Sequence, residues 1–142
     1  MTETSGFLQI NTDGGSRGNP GKAASAYVVY VDGEIVKKDS VYIGLKTNNE
    51  AEYVAVRNAL KWLKENQQNF TIDSVLFCID SELVVKQLNG EYKIKNLNLK
   101  KFIDEIKETE TGIDKNIFYK FIRREKNKMA DKLVNEELDK QI

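Results

Sequence analysis

Asp13, Glu52, Asp80 and Asp131 are the residues of this sequence whose types and placement could do chemistry. Asp13 closes the apolar run Phe7–Thr12, and Asp80 closes the run Val75–Ile79. Glu52 falls in the first turn of a helix read over Asn49–Asn66, and Asp131 in the first turn of one read over Met129–Lys140. Each acid has an ordinary explanation when taken singly. Asp13 before Gly14 can be a turn acid, and Asp80 beside Ser81 can cap the helix that follows. Asn49-Glu50-Ala51-Glu52 has capping-box spacing, with Asn49 as N-cap, and first-turn acids suit the helix dipole. Orientation argues for more than capping. Glu52 shares its stripe with Val56, Ala59, Leu60 and Leu63, so it points along the core-facing side of its helix. Asp131 stands three and seven residues before Val134 and Leu138, on their apolar seam.

If the first and fourth strands are parallel neighbours, Asp13 and Asp80 emerge at the same sheet edge, the carboxyl ends where open α/β sheets place their sites. Crowded carboxylates repel by roughly 4 kcal/mol per pair at about 4 Å with an effective dielectric near 20, so a cation must relieve them. The sequence has no His and one Cys. An all-oxygen ligand set favours Mg²⁺, or Mn²⁺, over zinc. Two such ions roughly 4 Å apart, bridged by a shared carboxylate, form a phosphoryl-transfer site in which one activates water and the other stabilises the leaving oxygen. This chemistry needs no histidine, whereas Ser-His-Asp and Cys-His nucleophilic systems do.

The elements that must position these acids follow from periodicity. Phe7–Thr12 reads as a first strand ended by the turn-rich run Asp13–Gly21. Ala24–Val31 and Glu34–Ile43 read as strands joined through Asp32-Gly33, a dipeptide suited to a type I′ hairpin. The apolar period then switches from two to 3.6 across Asn49–Asn66. Val75–Ile79 reads as a buried strand, Ser81–Leu88 and Asn98–Lys107 as helices, Asn116–Ile122 as the fifth strand and Met129–Lys140 as the last helix. The order βββαβααβα implies an α/β fold: a mixed five-stranded sheet, with a three-stranded antiparallel meander plus two parallel strands, flanked by helices.

Composition bounds the class. The 142 residues are 40% hydrophobic and 31% charged, with one Pro and nine Gly. That length predicts a single domain over 1–142 with a core that needs no staples. Cys78, alone and inside an apolar run, is expected to be a small buried hydrophobe. Trp62 reads as core among Leu60 and Leu63, although it and Tyr92 could also stack on bases. The polar segment Met1–Gly6 lacks the basic and apolar regions of an export signal, and no stretch is long enough to span a membrane, so a reducing, cytoplasmic setting is expected. Net charge is zero, 22 basic against 22 acidic. Its distribution is uneven: Lys86, Lys93, Lys95, Lys100 and Lys101 face only Glu91 in their segment. Lys120, Arg123, Arg124, Lys126, Lys128 and Lys132 face only Glu125 and Asp131. Either excess is a solvated surface or a phosphate-binding one.

Four ordered blocks carry a family resemblance. Asn11-Thr12-Asp13-Gly14-Gly15-Ser16-Arg17-Gly18-Asn19-Pro20-Gly21, Thr47-Asn48-Asn49-Glu50-Ala51-Glu52-Tyr53, Asp80-Ser81-Glu82-Leu83-Val84-Val85 and Arg124-Glu125-Lys126-Asn127-Lys128-Met129-Ala130-Asp131 resemble type 1 ribonuclease H, from Phe7 to about Leu138. The resemblance implies a metal-dependent endonuclease acting on the RNA strand of RNA–DNA hybrids, with Asp13, Glu52, Asp80 and Asp131 as metal ligands. It also implies that Asn49, and more weakly Asn48, read RNA 2′-hydroxyls. An amide can both donate to and accept from that group, which alone separates the two strands chemically. By the same likeness Gly14, Ser16 and Gly18 lie against the RNA backbone, with backbone N–H groups free to meet phosphate, and Thr47 contacts a DNA phosphate. Where many relatives carry a loop histidine, this sequence has Arg123-Arg124-Glu125-Lys126-Asn127, which resembles the histidine-lacking subgroup with an Arg-Glu-x-Asn loop. Arg124 could contact phosphate or product but cannot be a general base, and altered turnover or metal preference is the expectation. There is also no room between Asp80 and Asp131 for the long basic protrusion of some members, so weaker, salt-sensitive binding is expected.

Three other readings compete. A nuclease of the same fold could cut double-stranded RNA or DNA. A hybrid-binding module could lack catalysis, against which stand all four acids. A receiver-like signalling domain also gathers acids around Mg²⁺, but it needs α/β alternation from the start, which the opening meander contradicts. No protein partner is implied, and a monomer is expected.

Overall fold

The structure, a computed structural model, describes residues 6–141. Most of the polar opening segment lies outside the described residues. The chain runs β1 (Leu8–Gly18), β2 (Gly21–Val31), β3 (Glu34–Lys46), α1 (Asn48–Asn66), β4 (Ser74–Ile79), α2 (Glu82–Leu88), α3 (Leu97–Glu110), β5 (Asn116–Phe121) and α4 (Lys128–Asp139), with short 3₁₀ turns at Gln67–Asn69 and Arg124–Lys126. The strands form one mixed sheet in the order β3-β2-β1-β4-β5. β1, β2 and β3 pair antiparallel, while β4 pairs parallel to both β1 and β5. This is the expected α/β architecture. Among the described residues no helix is long and apolar enough to cross a membrane.

The alternation of β2 assigns the faces. Tyr27 and Val29 join the larger core beneath α1, α2 and α3, whose largest buried members include Tyr53, Phe77 and Leu60. Ala24 and Ala26 point the other way and pack against Val134 and Leu138 of α4. Small residues here let α4 lie close to the sheet. Cys78 is buried, as expected, and Trp62 packs against the larger core with Tyr27 and Phe70 as ring neighbours. Asp32 and Gly33 both take positive φ, 51° and 84°, as the hairpin reading requires. On the outermost strand β5, the side-chain amide of Asn89 donates to the Tyr119 carbonyl.

Two local expectations are corrected. In the run after Asp13 only Asn19-Pro20 form the turn: β1 continues through Gly14–Gly18, pairing with β2 down to Gly18 opposite Gly21. The ladder to β4 stops earlier, at Thr12 opposite Ile79. Turn-forming residues extend here as strand because β2 supplies a cross-strand partner for each of them, and β propensity yields to such context. The N-cap of α1 is Thr47, not Asn49. Thr47 Oγ1 accepts from the Glu50 N–H at 3.1 Å and Glu50 returns a bond to the Thr47 N–H at 2.9 Å, which completes the capping box. Glu52 is therefore released from any capping duty.

The seating of α1 on the sheet depends on Gly14. A Cβ at that position would lie 2.2 Å from the Ala51 carbonyl and 2.5 Å from the Glu52 nitrogen, which are backbone atoms that cannot rotate away. Opposite Gly14 in the ladder, Ser25 donates its hydroxyl to the Ala51 carbonyl at 2.7 Å. Gly14→Ala should push α1 off the sheet, lower stability by about 2–3 kcal/mol in urea denaturation, and still leave a cooperative transition.

Candidate active site

Asp13 lies one residue past the last β1–β4 pair, where β4 ends and β1 keeps β2 alone as its strand partner. Asp80 follows β4 directly, and Ser81, not Asp80, caps α2 by accepting from the Val84 N–H. Glu52 descends from α1 and Asp131 from α4. Carboxylate oxygens of Asp13, Glu52 and Asp80 all lie within 4.8 Å of one another. Asp131 lines the same open cleft of about 500 Å³, but it does not join that tight trio. The four expected acids are thus brought to one place from four elements, three closely and one at the margin.

Burial and mutual repulsion define the electrostatics. Asp13 is 3% exposed and Glu52 8%. Among the described residues no lysine or arginine nitrogen lies within 4.0 Å of any of the four carboxylates. Burial, then the charges of Asp80 and Asp131, push Asp13 up to about 8 from 3.8. Burial and the neighbouring Asp13 and Asp80 hold Glu52 well above the usual range, although its Oε1 accepts the Gly14 N–H at 2.8 Å. Asp80 is raised by burial, opposed by a hydrogen bond from Asn127 and the charge of Arg124. An all-oxygen donor set, crowded and with no protein cation in direct contact among the described residues, is chemically suited to a hard divalent ion. The residues present fit such a metal.

The remaining candidates divide by what they already hold. Asn49 is half-buried in the cleft, and its side chain has no hydrogen-bond partner among the described residues, so both functions of its amide are open. Asn48 uses its carbonyl oxygen to accept the Ser16 N–H at 2.8 Å and the Ser16 hydroxyl at 3.1 Å, leaving its N–H₂ free. The N–H groups of Gly14 and Ser16 are therefore engaged within the protein, to Glu52 and Asn48, and are not the free phosphate donors that the resemblance suggested. Gly18 turns the hairpin at φ 93°. Thr47 caps α1 and borders a second depression with Asn19, Asn96 and Asn98. Arg124 is exposed, lines the cleft, and its charge opposes the upward shifts of Asp13, Glu52 and Asp80. Ser25, a serine between alanines that only its ladder partner explains, escaped the sequence reading, and Asn127, four residues before Asp131, entered it as part of the Arg-Glu-x-Asn loop without a role of its own.

Sheet order, the carboxylate trio and the adjacent open amide together define a ribonuclease H-like protein with a candidate divalent-metal centre. A family model described as reverse transcriptase-like matches residues 11–137. The ribonuclease HI of Halobacterium salinarum is 41% identical over 94% of this chain and 65% of its own length. A bifunctional protein of Mycobacterium tuberculosis is 33% identical over 92% of this chain and 35% of its own length, so this chain spans only part of either relative. Among solved structures, LC11-RNase H1 in complex with an RNA/DNA hybrid superposes with a TM-score of 0.89 at 40% identity, covering 94% of this chain and 98% of that one. The RNase H1 of Halobacterium salinarum NRC-1 gives 0.86 at 37% identity, covering 95% and 99%. The chain belongs to the type 1 ribonuclease H family.

Carboxyl groups whose folded pKa is raised bind protons that the unfolded chain has already released, so stability falls as pH climbs through the window from 3.8 to about 8. In chelator, the wild-type Tm should drop between pH 5 and pH 8. Asp13→Asn should flatten that slope and exceed wild type at pH 8 by at least about 1 kcal/mol, several degrees by calorimetry, while Mg²⁺ should raise the wild-type value.

Proposed function

We propose that this protein is a divalent-metal-dependent endonuclease that hydrolyses the RNA strand of RNA–DNA hybrids. The observation that carries the reading is the Asp13, Glu52 and Asp80 trio, oxygens within 4.8 Å, opening into the cleft that also holds the unpaired Asn49 amide. A charge cluster and a group able to recognise a 2′-hydroxyl stand side by side. The hybrid complex of LC11-RNase H1 supports the substrate class.

In this reading Asp13, Glu52 and Asp80 hold two Mg²⁺ ions, with Mn²⁺ an alternative, and Asp131 completes the set from the margin. When bound, such ions supply an activated water and neutralise charge on the leaving oxygen. The protein's own residues do the positioning. Glu52 is fixed by Gly14, and Asn49 is presented by the first turn of a capped helix. Asn48 offers its remaining N–H₂ toward the same strand, beside the path along Gly14, Ser16 and Gly18. Thr47 borders the neighbouring depression, where the second strand's phosphates would run. Arg124, an obligate cation, attracts phosphate or product without exchanging a proton. Lys93, Lys95, Lys100 and Lys101, all exposed, extend the positive surface beyond that depression. The buried, unpaired Cys78 supports a reducing, cytoplasmic setting.

Labelled hybrid incubated with Mg²⁺ or Mn²⁺ should lose its RNA strand to products with 5′-phosphates. Chelator should stop this, and Asp80→Asn should reduce the rate by at least about a hundredfold. Matched RNA and DNA duplexes should remain intact; equal digestion of them would defeat the substrate assignment. When Lys93 and Lys95 are changed to Ala, the slope of log affinity against log salt should become shallower by about one for each lysine–phosphate pairing removed.

A further inference from the structure

One buried amide joins three pieces of the site. Asn127 is 1% exposed. Its Nδ2 donates to the Thr12 carbonyl at 2.8 Å and to Asp80 Oδ2 at 3.1 Å. Its own backbone carbonyl accepts the Asp131 N–H at 3.1 Å. Thr12 is the last residue of β1 paired with β4, immediately before Asp13. One side chain therefore spans the end of the β1–β4 ladder, the carboxylate that follows β4 and the start of the helix that carries Asp131.

The usual reasons for an asparagine here do not apply. Asn127 stands at the N-cap of α4, yet its side chain makes no capping bond. Its Oδ1 is buried without a partner. An amide kept in the interior with an orphaned acceptor is retained for its two donated bonds, and in native structures such groups are few. The donor is also neutral. It can aim a carboxylate without cancelling the charge that attracts a cation, which a lysine or arginine at this depth would do.

We propose that Asn127 is a positioning residue that sets the spacing between Asp80, Asp13 and α4 and thereby the site's affinity for divalent ions. The inference rests on the reading of these carboxylates as ion ligands, but not on the substrate assigned above. It is tested by titrating Mn²⁺ into metal-free wild type, Asn127→Ala and Asn127→Leu without nucleic acid, following free Mn²⁺ by electron paramagnetic resonance. Both variants should bind Mn²⁺ at least tenfold more weakly. They should also need correspondingly more Mg²⁺ for half-maximal cleavage while binding hybrid in chelator within twofold of wild type. A purely structural asparagine would lower Tm and leave ion affinity and the Mg²⁺ midpoint where they were. Folded variants that bind Mn²⁺ like wild type overturn the proposal. Should neither variant fold, the wild-type protein still decides. The Asn127 side-chain N–H₂ resonances should exchange slowly with solvent and shift on Mg²⁺ titration, and resonances that exchange freely or ignore Mg²⁺ overturn it. A protein that binds ions in this manner yet cuts no hybrid would defeat the substrate assignment alone.

Discussion

The contact between the backbone of β1 at Gly14 and the backbone of α1 at Ala51 and Glu52 is the constraint on which the site depends. No side chain fits between them, so the helix axis approaches the sheet as closely as main-chain atoms allow. That approach lets a glutamate of ordinary length reach the end of the β1–β4 ladder, and it gives Glu52 a backbone donor as it arrives. The Ser25 hydroxyl holds the same turn from the next strand. Helix, strand and carboxylate are thus fixed by one short stretch of main chain, and the capping box at Thr47 starts the helix at the phase that turns Glu52 inward.

Assembling like charges in a partly buried cleft opposes folding, and the opposition must be met elsewhere. The larger core does this with Tyr53, Phe77, Leu60, Leu63 and their neighbours, each essentially removed from water. The smaller core beneath α4 is thinner, because alanines at Ala24 and Ala26 bury little area. What they permit is proximity: α4 lies near enough to bring Asp131 to the rim of the cleft, where its charge is felt at Asp13 without its carboxylate entering the trio. The protein without metal is in this sense strained by charge, not by geometry.

Much of this is legible in the residues. The acid at the end of the apolar run Val75–Ile79 marks the end of β4, and Asp13 marks where the β1–β4 ladder stops, although β1 itself runs on to Gly18; a switch from period two to 3.6 marks the crossover that makes β1 and β4 parallel neighbours, and together these place Asp13 and Asp80. The stripe shared by Glu52 and Val56 shows which way the helix faces. What escapes depends on contacts between segments remote in the chain. Nothing local distinguishes a glycine-rich turn from a glycine-rich strand until β2 supplies its partners. Spacing alone does not fix the start of α1, because Asn49 and Thr47 are both good caps and only the reciprocal Glu50 bond separates them. The engaged N–H groups of Gly14 and Ser16, and the donations of Asn127 to Thr12 and Asp80, join residues tens of positions apart, and no periodicity announces them.

The outer strand β5 leaves Phe118 and Phe121 substantially exposed. An apolar edge of this kind invites a stray extended chain to add itself, and repeated addition is how fibres begin. The side-chain amide of Asn89 already occupies the Tyr119 carbonyl, so a would-be docking strand meets an interrupted row of acceptors. A single polar residue at the end of a short helix thereby removes one of the acceptors that an added strand would need.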